Sequence, residues 1–218
     1  MLLAIILVAT VVLLFLAVGD FAFGRIGFTP LEFALILLGT LLGSSVDIPV
    51  HKVTSVVPIV VQQEVRWFWM TYRIPRRALR RVSTVIAVNL GGCIIPVTVS
   101  IYLLATHPLS LLPYAIVGTI IASVLIHLVA RRVEGVGIVT PAFLPPLFAA
   151  ITAFALSPSH SAVLAYVCGT LGCLIGADLT NLRHADHSGA QMESIGGAGT
   201  FDGIFLTGII AVVLAAIL

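Results

Sequence analysis

Two aspartates stand in otherwise apolar surroundings, one in Gly176-Ala177-Asp178-Leu179-Thr180-Asn181-Leu182 and one in Gly196-Gly197-Ala198-Gly199-Thr200-Phe201-Asp202-Gly203. An acid held in or near hydrocarbon is costly, so by default it marks a functional site with a partner to be named. Asp178 and Asp202 are read as each other's partner. Two carboxylates brought together in a poorly solvated place cannot both ionise comfortably and divide one proton between them. Aspartyl hydrolysis needs that state: the ionised acid takes a proton from water while the neutral one polarises the scissile carbonyl. Gly196, Gly197, Gly199 and Gly203 leave room for water and for a substrate backbone, and Asn181 and Asn89 add amides beside it.

The elements that must position these groups are membrane spans. The chain of 218 residues is 60% hydrophobic and 9% charged, with a mean hydropathy of +1.18, against about 25% charged residues in soluble domains. An all-α, polytopic bundle is expected, forming a single transmembrane domain over residues 1–218. Apolar runs place about seven spans at 1–18, 30–45, 82–106, 110–130, 141–157, 160–182 and 195–218. Met1–Val18 lacks a basic leader and a small-x-small cleavage site, and reads as a retained span. Pro30 and Pro141 fit first helical turns, while Pro96, Pro145 and Pro146 are expected to kink spans. Cys93, Cys168 and Cys173 lie in apolar runs without metal-ligand spacing and read as small buried hydrophobes.

Depth makes the acid pair credible. Asp178 precedes Arg183 by five residues, about 7 Å along a helix. A last span beginning at Gly203 would be 16 residues, about 24 Å against a hydrocarbon core of about 30 Å. Starting it near Ile195 supplies the missing length and puts Asp202 ~10 Å deep, within about one turn of Asp178.

Arg73, Arg76, Arg77, Arg80 and Arg81 precede the third span, Arg131 and Arg132 follow the fourth, and Arg183 follows the sixth. Seven spans put all of them on one side, which the positive-inside rule makes cytoplasmic. The expected protein sits in a prokaryotic inner membrane with a cytoplasmic N-terminus and an external C-terminus. Residues 47–81 form the one long non-spanning segment, and Val65-Arg66-Trp67-Phe68-Trp69-Met70-Thr71-Tyr72-Arg73 is rich in interfacial aromatics. A short hairpin on the cytoplasmic surface fits that composition. It reads as an anchor and orientation signal, with a strand edge for an extended peptide or a basic patch for phospholipid as further readings. Asn89-Leu90-Gly91-Gly92 puts an amide and two glycines at membrane depth, where they either glue helices together or serve the site.

The arrangement resembles the GxGD-type intramembrane aspartyl proteases, namely presenilin, signal peptide peptidase and the prepilin peptidases. In those families one aspartate lies on a span and the second follows a Gly-x-Gly pair opening a later span. Here Gly197-Ala198-Gly199-Thr200-Phe201-Asp202 carries the glycines, with the acid two residues late. Two residues are about 200° of helix, so the resemblance implies locally unwound backbone. It covers about 45 residues, and no Pro-Ala-Leu motif accompanies it. The whole chain is also similar to an uncharacterised family of polytopic prokaryotic membrane proteins, on its Gly-Ala-Asp-Leu-Thr-Asn-Leu and Gly-Ala-Gly-Thr-Phe-Asp-Gly segments.

Other readings of the same residues stay open. Asp202 can cap the last helix, and Asp178 can accept from Asn181 or Thr180, or pair with Arg183. An ion- or proton-coupled transporter would use the same acids with Asn89. His184, Asp186 and His187, with Glu193, offer a weak metal-ligand set in a loop that otherwise reads as solvated. His51, His107, His127 and His160 are scattered and read as structural. No motif calls for a cofactor or nucleic acid. The partners implied are the lipid bilayer and a membrane peptide or protein substrate, and the sequence sets no oligomeric state.

Overall fold

The computed structural model describes residues 2–133, 137–182, 192–197 and 203–218. The most deeply buried element is α6 (Ser161–Cys173). Its run from Val163 to Thr170 is buried on every side, as an all-round apolar helix in the middle of a bundle must be. Packed on it are α4 (Leu112–Val129), α5 (Leu144–Leu156) and α7 (Gly203–Ile217). The bundle is completed by α1 (Leu2–Arg25), α2 (Pro30–Gly43) and α3 (Ile95–Thr106). Phe23 of α1 joins four of these helices, with ring centroids 5.0 Å from Phe33, 5.8 Å from Tyr166 and 6.5 Å from Phe205. α2 opens on a capping box, Thr29 accepting from the Glu32 amide while the Glu32 carboxylate accepts from the Thr29 amide.

The outer surface is aliphatic, with Leu14, Leu31, Leu42 and Leu128 all more than half exposed. A soluble monomer rarely exposes such continuous apolar surface, so the bundle is a membrane-associated one. Among the described residues, Leu109–Val129 and Pro158–Leu179 are long and apolar enough to cross a bilayer. Val12–Arg25 and Pro30–Gly43 pass that test together, as a broken pair bent by 118°. The apolar helices Leu90–Thr106, Leu144–Leu156 and Gly203–Ile217 are shorter. α5, at 13 residues, extends only about 20 Å.

The described helices fall in the expected apolar runs, but the last one starts at Gly203 and not near Ile195, because Met192–Ile195 is strand and Gly196 and Gly197 turn the chain. The helical depth expected for Asp202 therefore does not follow, nor is the protein all-α. β1 (Asp47–Trp67) and β2 (Met70–Asn89) pair along their whole length as an antiparallel hairpin, roughly 65 Å long. The expected third span therefore loses its first turns, because 82–89 is strand and the helical course starts only at Leu90. Val82, Val85, Ile86 and Val88 are β-branched, and a short apolar run cannot be assigned to strand or helix by hydropathy alone. Pro145 and Pro146 occupy the first turn of α5, where a missing N–H costs little, whereas Pro96 lies inside the helical course Leu90–Thr106, directly after its π-helical opening.

Two small pairings complete the strands. β3 (Arg131–Val133) pairs with β4 (Gly137–Val139). β5 (Met192–Ile195) lies parallel to β2, with Val85 opposite Met192 and Val88 opposite Ile195. β5 thereby pins the root of the hairpin to the end of the bundle where α4 and α6 finish and α7 begins.

Candidate functional site

Close packing of α6 on α4 sets where Asp178 lies. A Cβ on Gly172 would meet Ala122 at 2.8 Å, and one on Gly176 would meet the Ser123 carbonyl oxygen at 2.3 Å. Only glycine permits that approach. Beyond Cys173 the helix widens into a π-helical segment, Leu174–Leu179, a form often found at functional positions. Side chains satisfy the carbonyls at its end: Thr180 donates to Gly176 O at 2.8 Å and Asn181 to Ala177 O at 2.7 Å. His127 of α4 closes the corner, its Nδ1 lying 2.8 Å from Thr180 Oγ1.

Asp178 is half-buried at this corner, and its Oδ2 accepts the Gly196 N–H at 2.8 Å. Gly196 and Gly197 both have left-handed backbones, with φ of +86° and +92°. A Cβ on Gly196 would also lie 2.6 Å from Cys93 Cβ, so glycine is required there for conformation and for space. The chain leaving β5 is thus turned sharply while its amide is aimed at the carboxylate.

A second acid reaches the same strand. Asp47 Oδ1 accepts from Ser194 Oγ, and from Asn89 Nδ2 at 3.1 Å. Asn89, 1% exposed, also donates to Ser44 O at 2.8 Å and accepts from the Gly92 N–H at 2.8 Å. Its side chain caps a second π-helical segment, Leu90–Ile94. A Cβ on Gly91 would meet Thr40 O at 2.1 Å, so this segment sits directly against the end of α2. β5 and the residue after it therefore hold two carboxylates, Asp47 through Ser194 and Asp178 through Gly196.

Several expectations need revision against this geometry. Asn89 is not inside a span; it ends β2 and ties the hairpin root to α2. Among the contacts proposed for Asp178, those from Asn181 and Thr180 give way to the Gly196 amide, because both side chains turn back to helix carbonyls. Gly203 starts α7 in open space and needs no glycine for packing. Asp202, Gly199, His184, Asp186, His187 and Arg183 lie outside the described residues. Among the described residues no group of three or more His, Cys, Asp or Glu could hold a metal ion. All three cysteines are buried and none is in a disulfide. His160 lies near Ser159, 3.1 Å from its hydroxyl, at the start of α6 and about 27 Å of helix away from Asp178. A groove of about 330 Å³ between α2 and α3, lined by Phe28, Glu32, Leu35, Ile36, Thr98 and Tyr102, contains none of the candidate residues.

The sequence reading missed Asp47 and Ser194. Asp47 follows Ser44-Ser45-Val46 directly after a span, where a boundary acid is unremarkable. Only the strand pairing of β5 reveals its role.

The chain belongs to the DUF1614 family, a family of proteins of unknown function, whose model matches residues 41–214. That stretch runs from the end of α2 into α7 and includes Asp47, Asn89, Asp178 and Asp202. No curated protein and no solved structure matches the chain.

Proposed function

We propose that the protein is an aspartyl peptidase of the membrane, hydrolysing peptide bonds within or beside the bilayer with Asp178 and Asp202. One carboxylate draws a proton from water and the other, protonated, polarises the scissile carbonyl. The observation that carries this reading is the hydrogen bond from the Gly196 amide to Asp178. It fastens the first acid to a left-handed glycine turn that lies six residues before the second acid. The proposed dyad further needs unwound backbone between Gly199 and Asp202, the stretch that follows this turn. Gly197, Gly199 and Asn181 would border the substrate backbone.

The proposed setting is a prokaryotic inner membrane crossed seven times, with the N-terminus cytoplasmic and the C-terminus external. Its support is the gathering of Arg131, the hairpin root and the Asp178 corner at one end of the bundle.

A transporter coupled to protons or cations is the second reading. Its support is the polar groups inside the bundle, where the hydroxyls of Thr119 and Thr170 are buried beside Cys168 and Tyr166.

One experiment separates the two. Asp178→Asn and Asp202→Asn are each expected to abolish cleavage of a membrane-peptide reporter in proteoliposomes, with the thermal transition retained. Undiminished cleavage in either variant would refute the dyad. Substrate-dependent proton or cation flux without peptide product would establish transport instead.

A further inference from the structure

Beyond its root, the β1–β2 hairpin leads away from the site and bears a different chemistry. Residues 47–89 carry Lys52, Arg66, Arg73, Arg76, Arg77, Arg80 and Arg81 against Asp47 and Glu64. That is 7 − 2 = +5, whereas the rest of the chain is 4 − 7 = −3, giving the overall +2. Its tip is the two-residue turn Phe68-Trp69 between the paired Trp67 and Met70. Phe68 and Trp69 are 80% and 84% exposed and meet edge to face at 5.7 Å. Phe68 has a φ of +54°, at a turn position where glycine would be free of strain. A bulky aromatic kept at strain and in water is an outlier that points to a binding role.

β5 already takes part of the β2 edge at the root, and on the outer half prolines oppose strand addition as that role. A two-residue turn makes Trp67 and Met70 a hydrogen-bonded pair, and the pattern alternates from there. Counting back along the register, Pro58 opposite Leu79 and Pro75 opposite Gln62 both fall on non-bonded pairs. Their nitrogens therefore point outward, one on each edge, where a further strand would need an N–H.

We propose that the tip docks on the anionic surface of the bilayer leaflet from which the hairpin emerges. The root is fixed to the bundle end that also carries the exposed Arg131, and cations collect on the cytoplasmic side, whose leaflet bears anionic lipid. At roughly 65 Å, the hairpin lies along that surface with its aromatics at headgroup depth and its arginines among the phosphates. The inference does not depend on whether Asp178 is catalytic.

The chain's two tryptophans are Trp67 and Trp69, so intrinsic emission reports the tip alone. The full chain is placed in nanodiscs of phosphatidylcholine, or of phosphatidylcholine and phosphatidylglycerol in equal amounts, each with a brominated acyl chain as quencher. Blue-shifted, quenched emission is expected in the anionic discs, and water-exposed emission in the neutral ones. Quenching should fall with added salt, and Arg76→Gln should lower the docked-to-free ratio roughly five-fold. Phe68→Gly, which relieves the turn, should weaken quenching while leaving the fold intact. Unquenched emission in both discs, or equal and salt-independent quenching in both, would overturn the proposal. So would a lipid-independent change with protein concentration, which assigns the tip to a second copy. Quenching only by separately added anionic vesicles would overturn it in favour of an apposed membrane.

Discussion

Where α6 crosses α4, a Cβ on Gly176 would sit 2.3 Å from a backbone oxygen, whereas along the hairpin His51, Lys52, Gln62, Gln63, Ile74 and Arg76 are all exposed. Both regions are rich in aliphatic residues, yet one is packed to backbone contact and the other stands clear of the bundle. Side-chain size accounts for the contrast. Small residues at helix crossings bring backbones together, which is how helices associate when lipid gives no hydrophobic drive. The hairpin's β-branched residues instead stiffen an extended strand pair. The candidate site lies at the seam, where β5 joins the hairpin root to the end of α6.

The contrast can be broken most severely at Gly91. Alanine there would place Cβ 2.1 Å from Thr40 O and 2.5 Å from Ser44 N, backbone atoms that cannot step aside. Gly91→Ala is expected to cost ~1–3 kcal/mol or more and to pull Asn89 away from Ser44 and Asp47. A lowered thermal transition in detergent, with the hairpin amides exchanging faster, checks it. The smaller effect has the opposite sign. Phe68→Gly removes a left-handed phenylalanine and should stabilise the hairpin by about 1 kcal/mol, read as slower amide exchange near the turn. If Gly91→Ala were neutral, the packed seam would not be what holds the root. If Phe68→Gly were destabilising, the tip would be held by contacts within the protein.

The helices were legible because lipid-facing and core-facing residues are both apolar, so hydropathy alone marks each run. The hairpin was legible only in part. Its aromatic tip and arginines announced a surface segment, but the Val82–Val88 stretch reads equally as strand or span until its partner Lys52 or Thr54 is known. Asp178 stood out as an acid in apolar surroundings, while its partner Gly196 was one glycine among several. A positive φ and a missing Cβ distinguish Gly196, and neither is written in its neighbours. Asp47 stayed hidden because its partner Ser194 is 147 residues away.

The account rests on Asp178 and Asp202 meeting at the end of α6. In a chain with Cys93, Cys168 and Cys173 replaced by alanine, Asp178→Cys and Asp202→Cys should be joined by oxidation or by a one-carbon thiol bridge, which demands Cα atoms within roughly 7 Å or little more. The account predicts rapid bridging in the folded protein and none between Asp178→Cys and Asp20→Cys. Two thiols that stay open to alkylation, in a protein of unchanged thermal transition, would contradict it.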